Sequence, residues 1–302
     1  MQKPSSDTRN NQKGENITHE NKGSTATDTM FRFNMSVRTP LPKKVVSFFG
    51  GCIEKALFLH KLKTIYIHAA SYTDPEEFSK RTLRLMNISC DINTDKLAYV
   101  PRESPLAIIS NHPYGAIEGL ILISALLRIR PDIKIVANYL LGRIPQLKEV
   151  MFCVDPFETG AAIRQNIKPM KDVLSWLKAG HAVALFPAGE VSSINLRNFQ
   201  VTDPEWHTAT ARMIRKTRAS VLPVFFEGSN GVLFQAAGLF HPRLRTALLP
   251  YELLNKKHRT ITVRIGAPIP FQKIETFDQD KKLTAYLRTC TYTLDKKKEK
   301  NK

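Results

Sequence analysis

A chain of 302 residues, 42% hydrophobic and 24% charged, is long enough to bury the core of one large domain or two small ones. Its 45 Lys and Arg outnumber 27 Asp and Glu, and the formal net charge of +18 favours polyanionic partners: nucleic acid, an anionic membrane face or an acidic protein. The four cysteines (Cys52, Cys90, Cys153, Cys290) are scattered, with no CxxC pair and no histidine at metal-ligand spacing, so they suggest no zinc site and read as reduced cytosolic thiols.

Residues 1–35 are polar, with almost no large apolar side chain before Met30, and the sequence predicts a disordered tail there. The N-terminus lacks the apolar core of a signal peptide. No run reaches the roughly 18 apolar residues that a transmembrane helix needs. Residues 45–67, "VVSFFGGCIEKALFLHKLKTIYI", mix apolar side chains with Lys55, Lys61 and Lys63. That pattern suggests an amphipathic helical segment able to lie on an anionic surface. "DPEEFSKRTLRLMNI" opens with Asp74 as a cap, Pro75 at the first helical position and acids in the first turn.

"LAIIS" (106–110) and "IKIVAN" (133–138) read as short buried strands joined by a helix over 116–130. The pattern repeats downstream. A helix ending at Gly180 precedes strand "AVALF", "EWHTATARMIRKTR" precedes strand "SVLPVFFEG", and "RTITVRIG" supplies a late strand. Strands alternating with helices predict an α/β fold: a single domain over 36–290 with a mixed, mostly parallel sheet and crossover helices. Residues 291–302 read as a basic C-terminal tail.

In such sheets reactive groups gather at the carboxyl ends of strands. "SNHPYGAIEG" follows the first strand and "PAGEVSS" follows "AVALF", so two polar, glycine-containing turns fall at equivalent strand ends. Glu118, six positions after His112, is placed to return its carboxylate to the imidazole. A carboxylate on one ring nitrogen fixes the tautomer and makes the other nitrogen a better base towards a hydroxyl. Gly115 allows close backbone approach, and Asn111 flanks the histidine.

These residues resemble the signature blocks of the glycerolipid acyltransferases, the family that includes 1-acylglycerol-3-phosphate acyltransferases. "NHPYGAIEG" looks like the first block, "GRIPQLKEV" stands where the second is expected, "FPAGEVS" is similar to the third and "VLPVFFEG" to the fourth. The four run in order through about residues 106–230. The resemblance implies acyl transfer from a thioester, acyl-CoA or acyl carrier protein, to a hydroxyl of a lipid acceptor, with no covalent enzyme intermediate and no further cofactor. It implies His112 and Glu118 as the catalytic pair. Asn111, Gly115, Arg143, Gly189, Glu190 and Ser192 become candidate substrate contacts.

Two departures stand out. The usual Asp five positions after the histidine is Ile117 here, with the carboxylate one position later at Glu118. The usual Phe-Pro-Glu-Gly-Thr-Arg has Ala188 for its Glu and Val191 for its Arg. Both are similar to a bacterial branch that carries the label hemolysin and includes O-acyltransferases completing ornithine- or glycine-containing aminolipids. A lyso-aminolipid acceptor follows from that likeness, and Glu190 beside Val191 argues against a dianionic phosphate. The expected place of action is the cytoplasmic face of the inner membrane, peripheral or monotopic. The alternatives are a lysophosphatidic acid acyltransferase and a nucleic-acid-binding protein. The second is unsupported by any helix-turn-helix, zinc-finger or RRM pattern.

Overall fold

Five consecutive buried residues, Leu106–Ser110 (β2), occupy the middle of the sheet, and their alternation builds two cores at once. Leu106 and Ile108 face one side, Ala107 and Ile109 the other. A strand buried on both faces must be apolar at every position, which is why it reads as a run rather than an alternation. The computed structural model describes residues 59–155, 160–196, 198–240 and 242–295. The described residues all belong to one compact unit, Thr39–Lys302. The expected disordered tail and residues 45–58 lie outside the described residues.

In chain order the elements are helices Leu59–Ala69 (α1) and Pro75–Leu85 (α2), strand Ser89–Ile92 (β1), a turn of helix Thr94–Leu97 (α3), β2, helix Ile117–Leu126 (α4), and strands Lys134–Asn138 (β3) and Met151–Val154 (β4). Helix Gly160–Lys178 (α5) follows, then strands Ala182–Leu185 (β5), Ser193–Asn195 (β6) and Gln200–Thr202 (β7), helix Thr208–Thr217 (α6) and strand Ser220–Phe226 (β8). The chain continues through helices Val232–Phe240 (α7), Pro242–Ala247 (α8) and Leu249–Asn255 (α9), strand Thr260–Ile265 (β9), and helices Phe271–Ile274 (α10) and Asp280–Tyr292 (α11). Seven of the strands form one sheet in the order β1-β9-β8-β2-β5-β3-β4, and β6 and β7 make a separate hairpin. Strands β8, β2, β5, β3 and β4 run parallel, while β9 and β1 run against them. The sheet is therefore mixed and mostly parallel, as the sequence predicts.

One face is covered by α1, α2 and α4 through Ala69, Phe78, Leu83, Leu120 and Leu126. The other is covered by α5, α6 and α11 through Val173, Leu177, Ile214, Leu283 and Leu287. Burying each such side chain contributes about 1.5–3 kcal/mol, so the sheet is held from both sides. The caps are those written in the sequence. The Asp74 side chain accepts from the Glu77 amide at 2.9 Å. Past α5, Gly180 (φ +94°) donates to Leu177 and His181 to Trp176, the paired bonds that end a helix on a left-handed glycine.

The structure corrects two expectations. The crossover helix stops at Leu126, four residues short of the expected end. The basic tail does not begin at residue 291, because α11 runs through Tyr292 and Thr291 is fully buried. Of the amphipathic segment over 45–67, residues 59–67 are helical, with Leu59 buried, Ile65 and Tyr66 packed against the core and Ile67 exposed.

Candidate active site

Parallel β8, β2, β5 and β3 all end at the same edge, so the turns that leave them converge there. His112 follows β2, residues 187–192 follow β5, residues 227–230 follow β8, and the short 3-10 turn Leu141–Arg143 follows β3. The His112 ring stacks on Phe186, with centroids 4.2 Å apart. Its Nδ1 lies 3.3 Å from Oε1 of Glu118, which is completely buried in the first turn of α4. The approach has ion-pair distance without hydrogen-bond alignment, and neither Nδ1 nor Glu118 Oε2 has a hydrogen-bond partner among the described residues.

Glu118 Oε1 is anchored independently. It accepts the backbone N–H of Tyr114 at 2.6 Å and of Gly115 at 3.2 Å. The carboxylate thus shapes the same turn that presents the imidazole. Gly115 has φ +110°, and a Cβ there would stand 3.1 Å from Leu249, so the turn needs glycine for conformation and for packing. The Tyr114 hydroxyl donates to the Glu227 carbonyl at 2.5 Å, and burial pushes its phenol pKa well above the usual range. A Cβ on Gly228 would lie 2.0 Å from that hydroxyl, which explains the glycine opposite it.

The sequence-derived candidates divide. His112 and Glu118 are brought together. Asn111 has a structural tie: its amide donates to the Phe226 carbonyl at 2.9 Å and accepts the Phe226 N–H at 2.8 Å, pinning β2 to β8. Ser192 is also tied, since it is buried and donates its hydroxyl to Asp203 at 2.5 Å. Glu190 pairs with Arg245 of α8 at 2.7 Å, so the uncompensated negative charge expected beside Val191 is neutralised. Gly189 (φ +69°) turns the third block against His207. Arg143 is exposed on the same edge and forms no ion pair with a described residue. The neighbouring Gly142 packs against Cys153, whose thiol pKa burial raises.

Sequence reasoning missed Asp203. Its buried carboxylate accepts the His112 backbone N–H at 3.0 Å, the Ser192 hydroxyl and the Trp206 indole N–H at 2.9 Å. The only local signal is an Asp-Pro pair, which reads as a turn.

A family model described as acyltransferase matches residues 53–300. The chain is 29% identical over 287 residues to a lyso-glycine lipid O-acyltransferase of Bacteroides thetaiotaomicron, covering 88% of this chain and 99% of that protein. A lyso-glycine lipid O-acyltransferase of Phocaeicola vulgatus is 28% identical over 197 residues, which span 61% of this chain and 65% of that relative's length. Among solved structures, the 1-acyl-sn-glycerophosphate acyltransferase of Thermotoga maritima aligns with a TM-score of 0.49 at 15% identity, over 83% of this chain and 89% of that one.

Proposed function

Because the chain belongs to the acyltransferase family, we propose that it is an O-acyltransferase that moves a fatty acyl chain from an acyl thioester to the hydroxyl of a lyso-lipid, with a lyso-aminolipid as acceptor. The observation that carries the reading is the His112–Glu118 pair at the sheet's carboxyl edge. With Nδ1–H turned to the carboxylate, Nε2 is free to take the acceptor's proton. The hydroxyl oxygen then attacks the thioester carbonyl carbon, the C–S bond breaks, and the thiol leaves with the proton returned by the imidazolium. Glu118, 3.3 Å from Nδ1, stabilises that imidazolium. The donor is acyl-CoA or acyl carrier protein. Among the described residues no helix is long and apolar enough to cross a membrane, and the proposed place of action is the cytoplasmic membrane face, reached peripherally.

One observation favours the second acceptor. Arg245 pairs with Glu190, so the negative charge beside Val191 that argued against a phosphate is compensated. Presenting lyso-glycine lipid and lysophosphatidic acid together to the purified protein with one labelled donor separates the two. Acylation of the lyso-glycine lipid is expected, with a loss of about 10²–10⁴-fold in His112→Ala. Preference for lysophosphatidic acid overturns the acceptor, and unchanged turnover of His112→Ala overturns the base.

A further inference from the structure

Helix α7, "VLFQAAGLF", carries no charged residue on any face. A helix apolar all round belongs in a core or in lipid, yet this one is buried on one side only. Phe234 and Gln235 point inward, while Val232 is 86% exposed, Phe240 84%, and Leu233 and Leu239 more than half. The Gln235 side chain accepts the backbone N–H of Ile194 in β6, which fixes the β6–β7 hairpin against the helix. At the tip of that hairpin Leu196 and Phe199 are also exposed, Phe199 at 76%. Phe199 has φ +53°, a conformation that costs a bulky residue energy and holds its ring outward. The contiguous segments that bear these side chains leave the ends of β5 and β8, the edge where His112 sits.

We propose that the outer face of α7 together with the β6–β7 tip is a membrane-docking surface, which seats the mouth of the site on a bilayer of anionic lipid. The proposal rests on the acyltransferase reading, since a lyso-lipid acceptor has to be taken from a lipid phase, and it assigns the contact to this rim rather than to the N-terminal segment. Charge complementarity selects the partner. Residues 193–202 and 228–251 contain no Asp or Glu, in a chain of formal net charge +18. An apolar patch free of acidic residues on a strongly basic protein matches the headgroup and acyl boundary of an anionic leaflet. Nothing in that match suits a water-soluble acidic protein, which would leave the phenylalanines uncovered.

The test is sedimentation of the full chain with phosphatidylglycerol vesicles and with phosphatidylcholine vesicles. The variants are Phe199→Ser combined with Phe240→Ser, and Val232→Asp, with Ile67→Ser and Ile167→Ser as exposed apolar controls elsewhere. The rim variants are expected to lower vesicle affinity by about tenfold or more, since each buries a large apolar surface in lipid, and the controls are expected to match wild type. Turnover of a short-chain, monomerically dissolved acceptor is expected to be unchanged in the rim variants while turnover of vesicle-embedded acceptor falls. Rim variants that bind vesicles like wild type overturn the proposal. So does a lipid-free wild-type dimer that the rim variants dissociate, because a second copy then covers the patch. Loss of vesicle binding in a protein that acylates no lyso-lipid leaves the docking surface standing and removes the acceptor reading, so the two failures are distinct.

Discussion

Asp203 collects three hydrogen bonds on one buried carboxylate, from the His112 backbone, the Ser192 hydroxyl and the Trp206 indole. A carboxylate is the only common side chain that accepts at both oxygens without donating. In Asp203→Asn the amide nitrogen faces at least one N–H donor, so one buried group loses its partner. The expected cost is about 1–3 kcal/mol, with a fall in turnover because the turn bearing His112 shifts. Ser192→Ala separates the binding role implied by resemblance from the role seen in the structure. A substrate contact predicts a raised acceptor KM. A tie to Asp203 predicts a lower melting temperature, from loss of about 0.5–1.5 kcal/mol, with KM unchanged, and the latter is the expected outcome. Thermal unfolding and steady-state kinetics on one preparation decide it.

At the scale of elements, α9 shows how a charged pair can be built under the site. Glu252 and Lys256 are almost fully buried and meet at 2.5 Å, with Glu252 also accepting the Gly231 N–H at 2.9 Å. Burial lowers the Lys256 pKa, and the bond to Glu252 only partly offsets that. Lys256→Met strands the Glu252 carboxylate and is expected to destabilise by about 3–5 kcal/mol, while Glu252→Gln with Lys256→Met is expected to recover most of the loss. Denaturant unfolding of the single and double variants checks both. Nothing in "YELLNKK" announces this pair, because i, i+4 charges on a short helix normally face water. The strands tell the complementary story. Strands β2, β5 and β8 are legible as unbroken apolar runs because both of their faces are covered. Strand β1, "SCDI", is three-quarters exposed at a sheet edge and carries no such pattern. His112 and Glu118 were legible together because they stand six positions apart, whereas Asp203 stands 91 positions from His112 and only the fold brings it there.

On the scale of the whole molecule, the last helix closes both the second core and the site. Leu283 and Leu287 of α11 are buried against α6 and the sheet, and one turn further the helix delivers Arg288 and Tyr292 to Asp203. The Tyr292 hydroxyl accepts the Asp203 backbone N–H at 2.9 Å, Arg288 donates to the Asp203 carbonyl at 3.0 Å, and the Tyr292 ring packs edge-on against Phe225 at 5.5 Å. Burial raises the Tyr292 pKa beyond the ordinary phenol range. The boundary between domain and tail therefore has energetic consequences that can be read by shortening the chain. Ending it after Asp295 removes only residues 296–302, a run of charged and polar side chains, and is expected to leave the melting temperature and turnover unchanged. Ending it after Cys290 also removes buried Thr291 and the half-buried Tyr292 ring that packs on the second core, and is expected to cost about 2–4 kcal/mol, somewhat below the range for deleting a fully buried aromatic. Tyr292→Phe isolates the hydroxyl, for which about 1 kcal/mol is expected together with a fall in turnover passed through Asp203 to the His112 turn. If the chain ended after Cys290 melts and turns over like the full chain, α11 is a cover for the sheet and has no part in holding the site.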